Sequence, residues 1–477
     1  MKLKNPALSR RQLIGGTAAS LGAAGLPTAM SSAQGLEEKK FVFTICAAGG
    51  ASIIDSFLAQ ASGPAAFTGL VQPAGSPFKA VPVLNNSIQG AIPLGNGYAQ
   101  STFLTKFASD MVVMTCEVSS VNHIIAAKRS ITGDNVFGGR TLGEAIAAQF
   151  GKGLPLANMM LAGGGYATHG DDITVSDAAR AQVVADPLMF AFATHGYKGL
   201  TGAPAAADMR AARELRAQLE TVSRHYELFK DSKLMDAYRR NRDRITETLE
   251  KGDMITKLMM LDPASNNLAS FGLETSADIN LVREKFPNMA NDPFEARMAL
   301  GFLAAKNGVS NAISVAPSPS PLITAQGSPN SPLAFDWSHV DHRAAQNSMW
   351  SYILKSVDAL IDLLKATDID GRPELGKMWD RSLIYIATEF GRDKIATGGS
   401  GHHLNNGVVM ISPMLQGNKV FGGVDPTTGM TFGFDPQTGA PNPAVKMKER
   451  DIYSAIAHAV GLNFENRGSF PSMVRKA

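Results

Sequence analysis

Phe41-Val42-Phe43-Thr44-Ile45-Cys46-Ala47-Ala48-Gly49-Gly50-Ala51-Ser52-Ile53-Ile54-Asp55 is the stretch on which the reading of the fold turns. Its first six residues form a near-continuous apolar run without polar alternation, which suits a strand buried on both faces. The glycine pair then permits a tight turn, because glycine reaches positive φ without strain. Asp55 follows, and residues just past the carboxyl end of a parallel strand are where open α/β sheets gather their ligands.

Outward from there the pattern repeats. Met111 to Cys116, Met159 to Ala162, Ala312 to Ala316, Leu383 to Thr388 and Val408 to Ser412 are short runs rich in Val, Ile and Met. Helical patterns lie between them. Gly139 to Phe150 is one, and Pro293 to Lys306 is another, opened by Asp292 as cap and closed by Asn307-Gly308. From Arg343 to Ala366, Met349, Ile353, Val357, Leu360 and Leu364 recur at steps of three and four, which predicts one face packed on the sheet. A last helix, Glu449 to Val460, carries His458 as a packed side chain. The expectation is an α/β fold, a mainly parallel sheet covered by helices on both faces.

Residues 34–477 are expected to form one large domain with two departures. Around 205–255, Leu215, Leu219, Val222, Tyr226 and Phe229 share a helical stripe among dense charges, which reads as a helical insertion lying on the sheet domain. From about 420 to 477 the chain forms a smaller C-terminal part, opened by a turn-rich excursion from Gly422 to Pro443. Pro317 to Pro332, with five prolines, is a surface loop.

The N-terminus has a different purpose. Ser9-Arg10-Arg11-Gln12-Leu13-Ile14, a mildly apolar Gly/Ala stretch and Ser31-Ser32-Ala33 follow the order of a twin-arginine signal peptide, residues 1–33, read by the twin-arginine translocase. The stretch is too short and too rich in glycine to be a convincing membrane span. The expected location is periplasmic or secreted. That route carries folded proteins, often with a metal already bound.

A net charge of +3 with 18% charged residues implies no basic face suited to nucleic acid, and no second apolar run reaches membrane length. The two cysteines, Cys46 and Cys116, each close a strand-like run. They could pair if those strands are neighbours in an oxidising compartment, or they are two small buried thiols. The 21 methionines are spread through strands and helices as core filler.

Chemistry concentrates in the histidines. Four of the nine fall in two clusters, Asp336-Trp337-Ser338-His339-Val340-Asp341-His342 and His402-His403 after Gly398-Gly399-Ser400-Gly401. Mixed Asp and His ligands suit a divalent metal such as zinc or manganese, with calcium and magnesium left open. Arg140 and Arg392 follow glycines and could hold an anion bidentately, or could form structural ion pairs with Glu389 or Asp393.

Taken together, the Gly49 to Asp55 turn, Asn122-His123 with Ile131-Thr132-Gly133, Gly139-Arg140-Thr141-Leu142-Gly143, the Asp336 to Gln346 segment and Glu389-Phe390-Gly391-Arg392 before Gly399-Ser400-Gly401-His402 form an ordered set. In order and spacing, from about residue 40 to 470, it resembles the exported bacterial family catalogued as domain of unknown function 1501. The resemblance implies an alkaline-phosphatase-like or sulfatase-like fold and hydrolysis of a phosphate or sulfate ester. It would make Asp55 the first-strand metal ligand, draw on Asp336 or Asp341 with His339 or His342, and add His402, with Glu389 and His403 at hand. Asn122 and His123 fall near the family's nucleophile position. Departures are plain: Gly401 stands where an aspartate is expected, and no Ser, Thr or Cys is placed as nucleophile, Ser119, Ser120, Thr132 and Thr141 being only nearby hydroxyls. Metal-activated water would need none. A second reading is a non-catalytic exported protein that binds a partner or a glycan.

Overall fold

A computed structural model describes residues 39–58, 71–80, 98–134, 139–161, 166–193, 204–232, 254–271, 273–317, 334–393, 397–463 and 468–476, with 235, 238 and 239. Residues 1–33 and most of the proline-rich loop lie outside that set. Among the described residues eight strands form one sheet: β1 (Phe41–Cys46), β2 (Met111–Glu117), β3 (Asn158–Leu161), β4 (Gln182–Val183), β5 (Ala312–Val315), β6 (Ser382–Ala387), β9 (Asn405–Ile411) and β10 (Lys419–Phe421). Their order is β10-β2-β9-β6-β1-β5-β3-β4. Only β9 runs antiparallel to its two neighbours, so the sheet is mixed but mostly parallel.

The burial pattern of β1 explains its unbroken apolar run. Phe43 and Ile45 enter one core with Ile313, Val315, Ile384 and Ile386, while Val42 and Cys46 enter a second with Met160, Leu383 and Tyr385. Both faces are therefore covered, and alternation has no solvent side to mark. The first core packs on helices α4 (Pro293–Lys306) and α5 (His342–Ala366). The second packs on α2 (His123–Thr132), α3 (Leu142–Phe150) and α6 (Glu449–Val460). Strands β1 and β6, α4 and α6 fall within a residue of their expected bounds. Helix α3 starts at Leu142 and not Gly139, because Thr141 and Glu144 close a capping box there.

Three expectations change. Helix α5 is buried on nearly every side from His342 to Leu354, so its first half is threaded through the core and does more than lay one face on the sheet. In the 205–255 segment, helices Ala206–Thr221 and Arg224–Phe229 form, but Leu215, Leu219, Val222 and Phe229 of the expected stripe stay exposed. The turn-rich excursion becomes a three-stranded antiparallel ribbon, β11 (Gly423–Val424), β12 (Thr431–Phe434) and β13 (Pro441–Asn442). Among the described residues no helix is long and apolar enough to cross a membrane.

The strand order also resolves the cysteines. Two strands, β9 and β6, separate β2 from β1. At about 4.8 Å per strand the two runs stand roughly 14 Å apart, far beyond disulfide reach. Both cysteines are free and buried, and burial pushes both thiols well above their usual pKa. Ellman's reagent should therefore label neither in the folded protein and both in denaturant. Fast labelling in the folded state would contradict this packing.

Candidate metal centre

The centre is built where β1 and β6 end. These strands are parallel neighbours with Cys46 opposite Ala387, so the turns that follow them leave side by side. Gly49 and Gly50 take positive φ, 94° and 81°, and donate their amides to Glu389 Oε2 at 2.5 and 3.1 Å. A Cβ on Gly50 would come within 2.6 Å of the Phe390 ring and 2.8 Å of Arg392 Nε. Both the backbone angle and the space require glycine there.

Arg392, on the two-residue strand β7 (Gly391–Arg392), is 1% exposed. Its guanidinium donates to the carbonyls of Gly49, Gly50, Phe335 and Ser400 and to Asp336 Oδ1, the last at 2.7 Å. Nη1 also reaches His339 Nε2 at 3.0 Å. Burial lowers its pKa and Asp336 opposes the shift; the group stays charged. Arg392 is thus a brace joining four chain segments, paired with Asp336 in place of Glu389 or Asp393. Arg140 pairs with Asp172 at 2.6 Å.

Three side chains converge beside this brace. Ligand atoms of His123, Asp336 and His402 all lie within 4.8 Å of one another, a group that could hold a metal ion. His123 is the first residue of α2, whose cap is Asn122: its Oδ1 accepts from the amides of Ile124 and Ile125. Asp336 comes from the 3-10 turn Ala334–His339. His402 comes from β8 (His402–His403), which pairs with β7 so that Arg392 stands opposite His402.

The surroundings orient each ring. His123 Nδ1 faces Glu389 Oε1 at 3.4 Å and Nε2 faces Asp336 Oδ1 at 3.5 Å. Glu389 is the main cause of its raised pKa, with burial opposing and Asp336 assisting. His402 stacks on Phe390, centroids 4.1 Å apart, and Nδ1 lies 3.0 Å from the Val121 carbonyl. That carbonyl can only accept, which assigns the proton to Nδ1 and leaves Nε2 as a lone pair. His339 Nε2 accepts from Arg392, yet it sits 2.9 Å from His402 Nε2. At that distance one proton on a facing nitrogen makes a hydrogen bond between the rings, its donor set by the tautomers. Burial first, and Arg392 next among the lowering influences, depress the pKa of both rings.

The remaining candidates lie elsewhere. Asp55 sits in helix α1 (Ile53–Phe57), buried, and its Oδ2 bonds His342 Nε2 at 2.8 Å. His342 Nδ1 in turn bonds Ser400 Oγ at 2.8 Å. This buried chain, with Ser400 N on the Ser338 carbonyl, fastens the loop that presents His402 onto the turn that presents Asp336 and His339. Asp55 and His342 therefore stand behind the centre, outside the converging group. Asp341 caps α5 through Ala344 N, and His403 Nδ1 accepts from Asn405 N. Glu389 stands behind His123. The sequence pointed to His123 as a catalytic candidate beside Asn122 and not as a metal ligand, and it carried no sign of Val121 as the anchor of His402, since a backbone carbonyl leaves none.

No protein-family model matches the chain, and no curated protein matches it in sequence. Replacing Arg392 by lysine should destabilise the fold by about 3 kcal/mol, because one ammonium cannot span these acceptors. Denaturant unfolding checks this, and an unchanged midpoint would show that the guanidinium is not the brace.

Proposed function

We propose that this protein is an exported metal-dependent hydrolase of phosphate or sulfate esters, with an alkaline-phosphatase-like fold in the periplasm or beyond. The observation that carries the reading is the convergence of His123, Asp336 and His402, backed by an orienting partner for each histidine. His123, Asp336 and His402 would hold the ion. Imidazole with carboxylate suits zinc or manganese better than calcium or magnesium. Such an ion supplies Lewis-acid activation of water and of the ester oxygen.

The chain's own residues do the rest. Glu389 holds His123 with Nε2 toward the centre, and Val121 does the same for His402. Asp336 is steadied by Arg392, and the pair of carboxylates, Asp336 and Glu389, outweighs the single guanidinium. Water attack is the route that fits, since the nearby hydroxyls are engaged: Ser119 donates to Glu449, Ser120 accepts from Asn122, Thr132 donates to Lys128, and Thr141 caps α3.

The non-catalytic reading draws support from one observation: Arg392 and Arg140 are both committed to carboxylates, so neither is offered to a substrate anion. One experiment separates the two. Protein starting at Gln34, dialysed and analysed by elemental mass spectrometry, should carry about one equivalent of a transition metal. His123→Ala, Asp336→Asn and His402→Ala should each lose it, Glu389→Gln should weaken binding about 10–100-fold, and Asp55→Asn should keep the metal at lower stability. Hydrolysis of p-nitrophenyl phosphate or sulfate by the loaded protein supports the enzyme; metal without hydrolysis supports the binding protein. Metal-free protein whose melting point no divalent ion raises would overturn the hydrolase and favour the non-catalytic reading.

A further inference from the structure

Helix α4 carries an arginine on the side that faces the sheet. Gly301 marks that side: a Cβ there would lie 3.0 Å from Ile313 Cγ2 and 3.7 Å from Leu161 Cδ1. Arg297 lies four residues earlier, one turn back along the same face. Its Nη1 donates to the Ala316 carbonyl at 3.0 Å. Ala316 directly follows β5, whose Val315 pairs with Ile45 of the parallel β1. The guanidinium therefore stands at the same edge of the sheet as the turn after β1, the edge at which open α/β sheets bind their ligands.

The fold gives this cation little else. Arg297 Nε is enclosed without a hydrogen-bond partner, the one buried lysine or arginine nitrogen in that state among the described residues. Asp292 and Tyr352 act on it electrostatically, raising a pKa that burial lowers; the group stays charged. Asp292 Oδ1 is already taken, since it accepts from the amides of Phe294 and Glu295 and from the Tyr352 hydroxyl. The contrast with Arg392 at the same edge is direct, because that guanidinium receives four carbonyls and a carboxylate. Enclosed N–H groups are normally given acceptors, and a charge withdrawn from water is normally given a counter-charge. Arg297 is only half-buried, so the outer part of its fork remains open to solvent.

We infer that Arg297 binds an oxyanion, the carboxylate, sulfate or phosphate group of a ligand held at the carboxyl end of β5. A planar fork anchored at one corner by Ala316 presents its remaining donors in a fixed direction, which suits two oxygens of one anionic group. The bound anion supplies the counter-charge that the protein withholds. This site is separate from the group formed by His123, Asp336 and His402 and does not depend on what that group binds.

Isothermal titration of the mature chain with sodium sulfate tests the inference, with ionic strength held constant by sodium chloride and with the protein both metal-loaded and dialysed against a chelator. Sulfate should bind in both states. Affinity should fall at least about tenfold in Arg297→Met, the loss expected when a charge-assisted hydrogen bond is removed. Arg297→Lys, which keeps the charge and loses the fork, should recover part of it. Circular dichroism verifies that both variants are folded, and the lysine variant alone suffices if the methionine one is not. Methyl sulfate binding alongside sulfate supports the site as a holder of one group of a larger ligand, and sulfate binding alone supports it as a site for a free anion. Absence of sulfate binding, affinity unchanged in both variants, or binding that disappears with the metal overturns the inference. None of these outcomes touches the hydrolase reading, which stands or falls on metal content and ester turnover.

Discussion

Everything at the carboxyl end of the sheet depends on a guanidinium with no access to water. An arginine carries five N–H donors and cannot shed its charge, so burying one obliges the fold to bring it acceptors. Arg392 finds carbonyls from the β1 turn, from the segment before the Asp336 turn and from the glycine-rich loop, together with the Asp336 carboxylate. Each acceptor belongs to a segment that also presents or steadies a residue of the centre. The geometry of the ligands is thereby coupled to the cost of leaving a buried charge unpaired, which is a stiff constraint.

The turn after β1 shows how economical the arrangement is. Its amides face Glu389 and its carbonyls face Arg392, so one glycine pair serves an anion and a cation from the same neighbouring loop. Glu389 then orients His123, and Arg392 then orients Asp336. Aligned parallel strands make this possible, because β1 and β6 deliver their loops to one edge in register.

The scaffold was legible because its rules are local or periodic. Apolar runs without alternation located the strands, and Asp292 with Pro293 located α4 to the residue. One histidine from each sequence cluster, His339 and His402, comes together with the other at 2.9 Å. Which ligands meet was not legible, since that depends on which loops the strand order sets side by side. Asp55 looked like a strand-end ligand, but the chain turns into α1 and buries it against His342, and the antiparallel β9 brings His402 up beside the Val121 carbonyl instead. The cysteines teach the same lesson: each was placed on the right strand, and only the order of strands set them apart.

The pairing of β1 has a consequence for how the molecule is made. Val42 lies between Ala312 and Leu383, so the first strand waits for partners synthesised far later. Such non-local pairing makes for slow folding, with apolar edges open in the meantime. Arg392 and the loop after it complete the centre only when most of the chain exists. The candidate centre is therefore completed late in biogenesis.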